Sequence, residues 1–196
     1  MDLAYFALLI FAYLTGSIST AVIVCRIFTL PDPRIVGSHN PGATNVLRIG
    51  GKRAAIATLL GDMFKTALPI LIAIFIDYEP NQLAWIGVFA MLGHCFPVYF
   101  NFKGGKGVAS MMAVIALSLP RFFFLALGVW LIVLFISKRS SVASMTTALV
   151  VPPFVYHFAN LCFLPFMALS LVVMLRHRSN IINIAKGTEP IVGHKA

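Results

Sequence analysis

Seven apolar runs take up most of this 196-residue chain, near residues 3–25, 53–76, 82–100, 108–120, 122–137, 142–160 and 161–176. A helix needs roughly 20 apolar residues to cross a hydrocarbon core. The first three runs reach or approach that length unaided. Inside a bilayer each backbone polar group must be satisfied within the protein, so such runs fold as helices. The expected fold is all-α: a polytopic membrane helical bundle, one integral-membrane domain over residues 1–196. Charged residues make up 11% of the chain, against about 25% in soluble domains. That leaves no room for a sizeable soluble domain.

Seven spans fit best, with six or five as alternatives. Pro120 and Arg121 break one long stretch in two, and the segment from Asn160 to Pro165 marks a tight turn. Pro152 and Pro153 kink a helix, which membrane helices tolerate when neighbours satisfy the freed carbonyls. With seven spans, Arg26, Arg34, Arg48, Lys52, Arg53, Lys103, Lys106, Lys138, Arg139, Arg176, Arg178, Lys186 and Lys195 fall on one side. The other side receives Asp2, Asp77, Glu79 and Arg121. The positive-inside rule then predicts a periplasmic N-terminus and a cytoplasmic C-terminus. The net charge of +9 reports membrane orientation rather than nucleic acid, since no recognition motif accompanies it. Cys25, Cys95 and Cys162 are isolated in apolar surroundings and read as small buried hydrophobes. Met1 and Asp2 lead straight into apolar sequence, without the positive segment of a cleaved signal peptide, so the first run is expected to stay as a span.

Three basic loops, two of them glycine-bearing, carry the chemistry. The first holds GSHNPGATNVLR at 37–48. Gly37 and Gly42 have the spacing of a nucleotide-binding loop, but Ala43 stands where its lysine belongs, so nucleotide hydrolysis is not supported. What remains is a glycine-turned loop with Ser38, Asn40, Thr44, Asn45 and Arg48, a density of donors that suits phosphate better than a plain connection. The second is KGGKG at 103–107, just before an apolar helix, where glycine N–H groups and the helix start favour an anion and Lys106 adds a full charge. The third is RHRSN at 176–180, in which His177 suits phosphate or proton traffic and Asn180 suits a hydroxyl. Asp62 and Lys65 stand one helical turn apart and are expected to pair, bracing the site. His94 reads as a buried, hydrogen-bonded imidazole, and His157 lies toward the outer side. No HxxxxD acyltransferase motif, GxSxG elbow, HExxH or acidic metal cluster occurs.

Six segments stand in order: Asp32 to Arg34, GSHNPGATNVLR at 37–48, LGD at 60–62 with Lys65, GHCFP at 93–97, FKGGKGV at 102–108 and RHRSNI at 176–181. Together they resemble the bacterial acyl-phosphate:glycerol-3-phosphate acyltransferase family. The resemblance implies a seven-span inner-membrane enzyme of phospholipid synthesis. It implies acyl transfer from acyl phosphate to the 1-hydroxyl of sn-glycerol 3-phosphate, giving lysophosphatidic acid and phosphate with neither metal nor other cofactor. Its partners would be those two substrates and membrane lipid, with no nucleic acid; no protein partner is named by the residues. Ser38, Thr44, Asn45 and the loop Gly104, Gly105, Lys106 look like the cradle of the acyl-phosphate head group. Arg48, Lys106, Ser141, His177 and Asn180 look like the glycerol 3-phosphate contacts. Ser38, Asn180 and Lys106 are the expected catalytic groups, with Ser38 and Asn180 closest to the reacting atoms. Ser141 rests on the short stretch SVAS at 141–144. The chain departs from the commonest family pattern at His39, Thr66 and Ser110.

An acyl phosphate is already activated, so the expected chemistry is direct attack by a glycerol hydroxyl held against it. An acyl-enzyme on Ser38 is the mechanistic rival. A membrane transporter for phosphate esters is the rival function, sharing the cations and glycine loops but needing a path to both faces.

Overall fold

The computed structural model describes residues 2–192; Met1 and Lys195 lie outside the described residues. Among the described residues nine α-helices follow in order: α1 (Leu3–Gly16), α2 (Thr20–Ile27), α3 (Ala43–Phe75), α4 (Pro80–Cys95), α5 (Val108–Ser118), α6 (Pro120–Ser137), α7 (Ser140–Phe158), α8 (Phe163–Arg176) and α9 (Arg178–Ala185). Among the described residues there is no strand. By length and composition, Leu3–Ile27, Ala43–Phe75, Pro80–Phe100 and Pro120–Ser137 are long and apolar enough to cross a membrane. The pair Asn160–Arg176 and Arg178–Ala185, bent by 54°, makes a fifth.

The apolar runs became helices, and the differences from expectation lie at their ends. The first run is broken between α1 and α2 at Ser17 to Ser19. The run expected from residue 53 starts ten residues earlier, at Ala43. Gly51, with φ 75° and ψ −174°, separates that early piece from the apolar length of α3. Few residues other than glycine hold such a backbone, so residues 43–50 form their own short helix at an angle to the span. Polarity hid this piece: Thr44, Asn45 and Arg48 face a site rather than an apolar neighbour.

The surface is apolar and the interior partly polar. Phe75, Phe135 and Leu161 are 84–90% exposed, as suits side chains turned to lipid. Ser17, Thr58, Thr66, Ser110 and Thr147 are buried between helices. Small residues allow close approach where apolar burial cannot drive association. A Cβ on Gly16 would fall 2.0 Å from Ala90 O, and one on Gly93 2.2 Å from Tyr13 O; α1 and α4 touch backbone to backbone there. Thr66 Oγ1 and Ser110 Oγ share a hydrogen bond of 2.9 Å that joins α3 to α5.

Pro152 and Pro153 lie within α7 without ending it. Pro152 has no N–H for the carbonyl four residues back, that of Ala148. Ser170 Oγ, from α8, donates to Ala148 O at 2.6 Å and fills the gap. Ser170→Ala is expected to lower unfolding stability in lipid or detergent by about 1 kcal/mol, with Ser170→Thr keeping most of it. Thermal or denaturant unfolding of the purified protein measures both.

Candidate active site

The first loop is organised by one buried side chain. Asn45 Oδ1 accepts from the Ser38 N–H at 2.9 Å. Its Nδ2 donates to Pro33 O at 2.9 Å and to Val36 O at 3.0 Å. The loop therefore wraps the first turn of α3. Gly37, at φ 66°, makes the turn, and a Cβ there would fall 2.3 Å from Asn45 Oδ1. His39 holds a left-handed backbone at φ 56°, a conformation that glycine adopts at less cost. Asp32 and Arg34 satisfy each other, with Arg34 Nη2 2.6 Å from Asp32 Oδ2.

The second loop packs against the end of α4. Gly105 N–H donates to His94 O at 3.1 Å, and a Cβ on Gly105 would fall 2.1 Å from His94 Nε2. Arg176 donates from Nε to Gly105 O at 2.9 Å and from Nη2 to Gly104 O at 2.6 Å, while its guanidinium stacks over Phe96 at 5.3 Å. Below this loop lies the expected ion pair, with Lys65 Nζ 2.9 Å from Asp62 Oδ1. Thr20 Oγ1 also donates to Asp62 Oδ1, and His94 Nδ1 approaches it to 3.3 Å. Lys65 donates further to Ile18 O at 2.6 Å, in the break between α1 and α2.

At the same end of the bundle α6 gives way to α7 and α8 to α9. Lys106 Nζ donates to Asn180 Oδ1 at 2.6 Å. Asn180 Nδ2 donates to Glu189 Oε1 at 2.7 Å, which also accepts from Ser141 Oγ at 2.5 Å. His177 Nδ1 lies 2.8 Å from Val173 O. A carbonyl only accepts, so Nδ1 carries the proton and Nε2 is left for other partners. Burial pushes the Lys106 ammonium down to about 8; Arg176 and Arg48 push the same way, and Glu189 opposes them.

These groups line one cavity of about 890 Å³. The first turns of α3, α5, α7 and α9 all border it, through Ala43 and Thr44, Val108 and Ala109, Ser140 and Ser141, and Ser179 and Asn180. Among the described residues none of these four helix starts has a side-chain cap bond. The first turn of a helix presents N–H groups without intrahelical partners and a positive potential, so the polar end of the cavity is built to receive anions. Arg48, Lys52 and Lys106 add full charges, and Arg48 Nε is buried without a partner among the described residues. The other arm of the cavity is apolar and runs between α3 and α6, past Leu59, Met63, Phe123, Leu127 and Trp130.

Ser38, Thr44, Asn45, Arg48, Lys106, Ser141, His177 and Asn180 thus come together around one space. Gly104 and Gly105 do not line it. They are buried; both carbonyls accept from Arg176, and the Gly105 N–H donates to His94 O. The sequence reading missed Glu189, since a carboxylate in a short polar tail carries no periodicity and belongs to none of the motifs. Its one signal is scarcity: it is one of six acidic residues in the chain. Among the described residues no three His, Cys, Asp or Glu side chains gather as metal ligands.

A family model described as glycerol-3-phosphate acyltransferase matches residues 6–187. A glycerol-3-phosphate acyltransferase of Vibrio cholerae serotype O1 is 46% identical over 189 residues, covering 96% of this chain and 91% of that one. One from Thioalkalivibrio sulfidiphilus is 46% identical over 191 residues, covering 96% and 94%. Among solved structures, an integral membrane glycerol 3-phosphate acyltransferase in its glycerol 3-phosphate form has a TM-score of 0.91 at 32% identity, covering 97% of this chain and 96% of that one. Its lysophosphatidic acid form gives 0.87 at 31% identity, covering 96% and 95%.

Asn45→Ala removes three hydrogen bonds from the first loop while sparing the helical core. Backbone amides of residues 34–39 are expected to exchange with solvent at least about tenfold faster, with α4 and α8 little changed. Hydrogen-exchange mass spectrometry in lipid reads this directly.

Proposed function

The chain belongs to the glycerol-3-phosphate acyltransferase family, and from that membership and its cavity we infer that it transfers an acyl chain from acyl phosphate to the 1-hydroxyl of sn-glycerol 3-phosphate. The products are lysophosphatidic acid and phosphate. One observation carries the reading: a single cavity joins an anion-receiving end of four helix starts and fixed cations to an apolar arm between α3 and α6. A phosphate ester and an activated acyl chain together have that polarity.

In this reading Ser38, Thr44 and the start of α3 receive the acyl-phosphate head group, and the acyl chain lies in the apolar arm. Arg48, Lys106, Ser141, His177 and Asn180 hold glycerol 3-phosphate. Asn45 acts through the loop it fastens, and Gly104 and Gly105 act by letting the second loop pass against His94. The glycerol oxygen attacks the acyl carbon, the bond from that carbon to the phosphate oxygen breaks, and the hydroxyl proton leaves with the phosphate. Proximity supplies much of the rate, and N–H donors with Lys106 stabilise the developing charge. No strong enzyme nucleophile is needed; a covalent acyl group trapped on Ser38 during turnover would overturn direct transfer. The cation-bearing end is assigned to the cytoplasm of a bacterial inner membrane, with seven spans and an outer N-terminus. The concentration of polar groups at one end of the bundle favours chemistry there over passage across it.

The reading is tested with purified protein in lipid, palmitoyl phosphate and glycerol 3-phosphate. Phosphate release is expected to require both substrates and to match lysophosphatidic acid formed, and Lys106→Ala is expected to lower kcat/KM by about a hundredfold or more. Label uptake into vesicles with no acylated product would instead establish the transporter.

The Lys106 ammonium also sets a pH dependence. Its charged form prevails below about 8 and attracts phosphate; raising the pH through that value removes the charge. KM for glycerol 3-phosphate is therefore expected to rise above pH 8, by up to about tenfold per pH unit. Lys106→Arg, whose charge persists, is expected to flatten that rise.

A further inference from the structure

One buried charged side chain has no task in this mechanism. Glu189 follows α9 and is 7% exposed. Its segment is pinned on both sides: Thr188 N donates to Asn183 O at 2.8 Å and Val192 N to Lys138 O at 2.9 Å. Arg139 Nε donates to Glu189 O at 3.2 Å. The carboxylate therefore has a fixed place at the cavity wall, with Oε1 taken by Ser141 and Asn180. Oε2 is buried there without a hydrogen-bond partner among the described residues.

A carboxylate oxygen buried without a donor is costly, and such an atom in a native site calls for an explanation. Besides His94 Nδ1, which lies 3.3 Å from Asp62 Oδ1, the same cavity holds a second orphan of the opposite sense, the donor Arg48 Nε. A ligand that satisfies both must accept hydrogen bonds at one end and donate at the other. A phosphate ester of a polyol does so: its phosphate oxygens accept, and its carbon-borne hydroxyls donate. A phosphate against Glu189 would meet a like charge, so the phosphate belongs with Arg48 and Lys106 and the hydroxyl end with Glu189. The 1-hydroxyl must give its proton to the departing phosphate. That leaves the 2-hydroxyl for a fixed carboxylate.

Resting on the acyltransferase reading, we propose that Glu189 is a specificity-determining residue whose Oε2 accepts a hydrogen bond from the 2-hydroxyl of glycerol 3-phosphate. It thereby selects acceptors with a hydroxyl beside the reacting one. Ser141 and Asn180 then have a double part, touching the substrate and holding the carboxylate that reads it.

The test compares two acceptors with palmitoyl phosphate and the full chain in lipid. They are glycerol 3-phosphate and propane-1,3-diol monophosphate, which keeps the reacting hydroxyl and the phosphate but lacks the 2-hydroxyl. The wild type is expected to prefer glycerol 3-phosphate by about tenfold to a hundredfold in kcat/KM, the loss typical of one hydrogen bond to a charged group. Glu189→Ala is expected to bring the preference to within about threefold of unity, mainly by losing activity toward glycerol 3-phosphate. A wild type that does not discriminate overturns the proposal without any variant. Equal losses on both acceptors, with the preference intact, overturn it too and leave Glu189 as structural support. If Glu189→Ala does not fold, Glu189→Gln keeps an oxygen for Ser141 and Asn180 and is expected to cut the preference at least about threefold; an unchanged preference overturns the proposal. A folded wild type that acylates neither acceptor removes the acyltransferase reading itself, and the inference falls with it.

Discussion

A helix in a bilayer satisfies its own backbone except at its two ends, and the arrangement of this protein follows from where those ends are left open. α1 begins under the carboxylate of Asp2, which accepts from Tyr5 N at 2.7 Å and from Tyr78 Oη at 2.8 Å. α4 begins nearby, with Gln82 Oε1 accepting from Glu79 N. α6 and α8 start at that end without a side-chain cap bond, and at the other end α3, α5, α7 and α9 do the same among the described residues. Each of these last four opens onto the same cavity. Four unsatisfied first turns converging on one space would be costly if that space stayed dry. An anionic ligand turns the cost into affinity, so the same backbone groups that limit stability become the means of binding.

Convergence of this kind has to be held in register, and the buried Asp62–Lys65 pair does this. Its oxygen gathers Thr20 from α2, Lys65 from α3 and His94 from α4. Lys65 also answers a carbonyl exposed where α1 breaks from α2. A buried ion pair is a poor source of net stability, yet removing one partner commonly costs about 3–5 kcal/mol because the other is left charged and alone. Such a cluster therefore fixes one packing rather than tightening it. His94 passes that fixed position on to Gly105, and Arg176 grips the same loop from α8. Lys106, next along that loop, takes its position from these contacts.

What the sequence revealed and what it hid divide along physical lines. Apolar runs and the Asp62–Lys65 spacing are local signals with their expected structural consequence, and Pro152 and Pro153 lie within α7 without ending it. Ser170 answering Ala148 shows how a proline helix is tolerated, although no sequence spacing identifies that donor. The early start of α3 was hidden because residues 43–50 point polar groups at a site, which erases the apolar stripe that marks a helix. Gly104 and Gly105 looked like free N–H donors, whereas the folded chain uses them for close approach. Glu189 was hidden most fully. Its place depends on a tail folding back onto α7 through Lys138 and Arg139, a long-range event with no local pattern.

The electrostatic demand on the site explains why it is built from helix starts as well as side chains. In the proposed reaction two phosphate groups meet at the cavity, and their repulsion must be offset before any bond forms. Each helix start carries roughly half a positive charge, so four supply about two. That is comparable to Arg48 and Lys106 together, and unlike a lysine a helix start does not titrate or move. Glu189 subtracts from this total where it meets Ser141 and Asn180, so the cavity is not uniformly positive. A uniformly positive cavity would bind a phosphate ester in either direction. In the acceptor arrangement proposed above, Arg48 marks the phosphate end and Glu189 the hydroxyl end, which gives the phosphate ester one direction in the cavity.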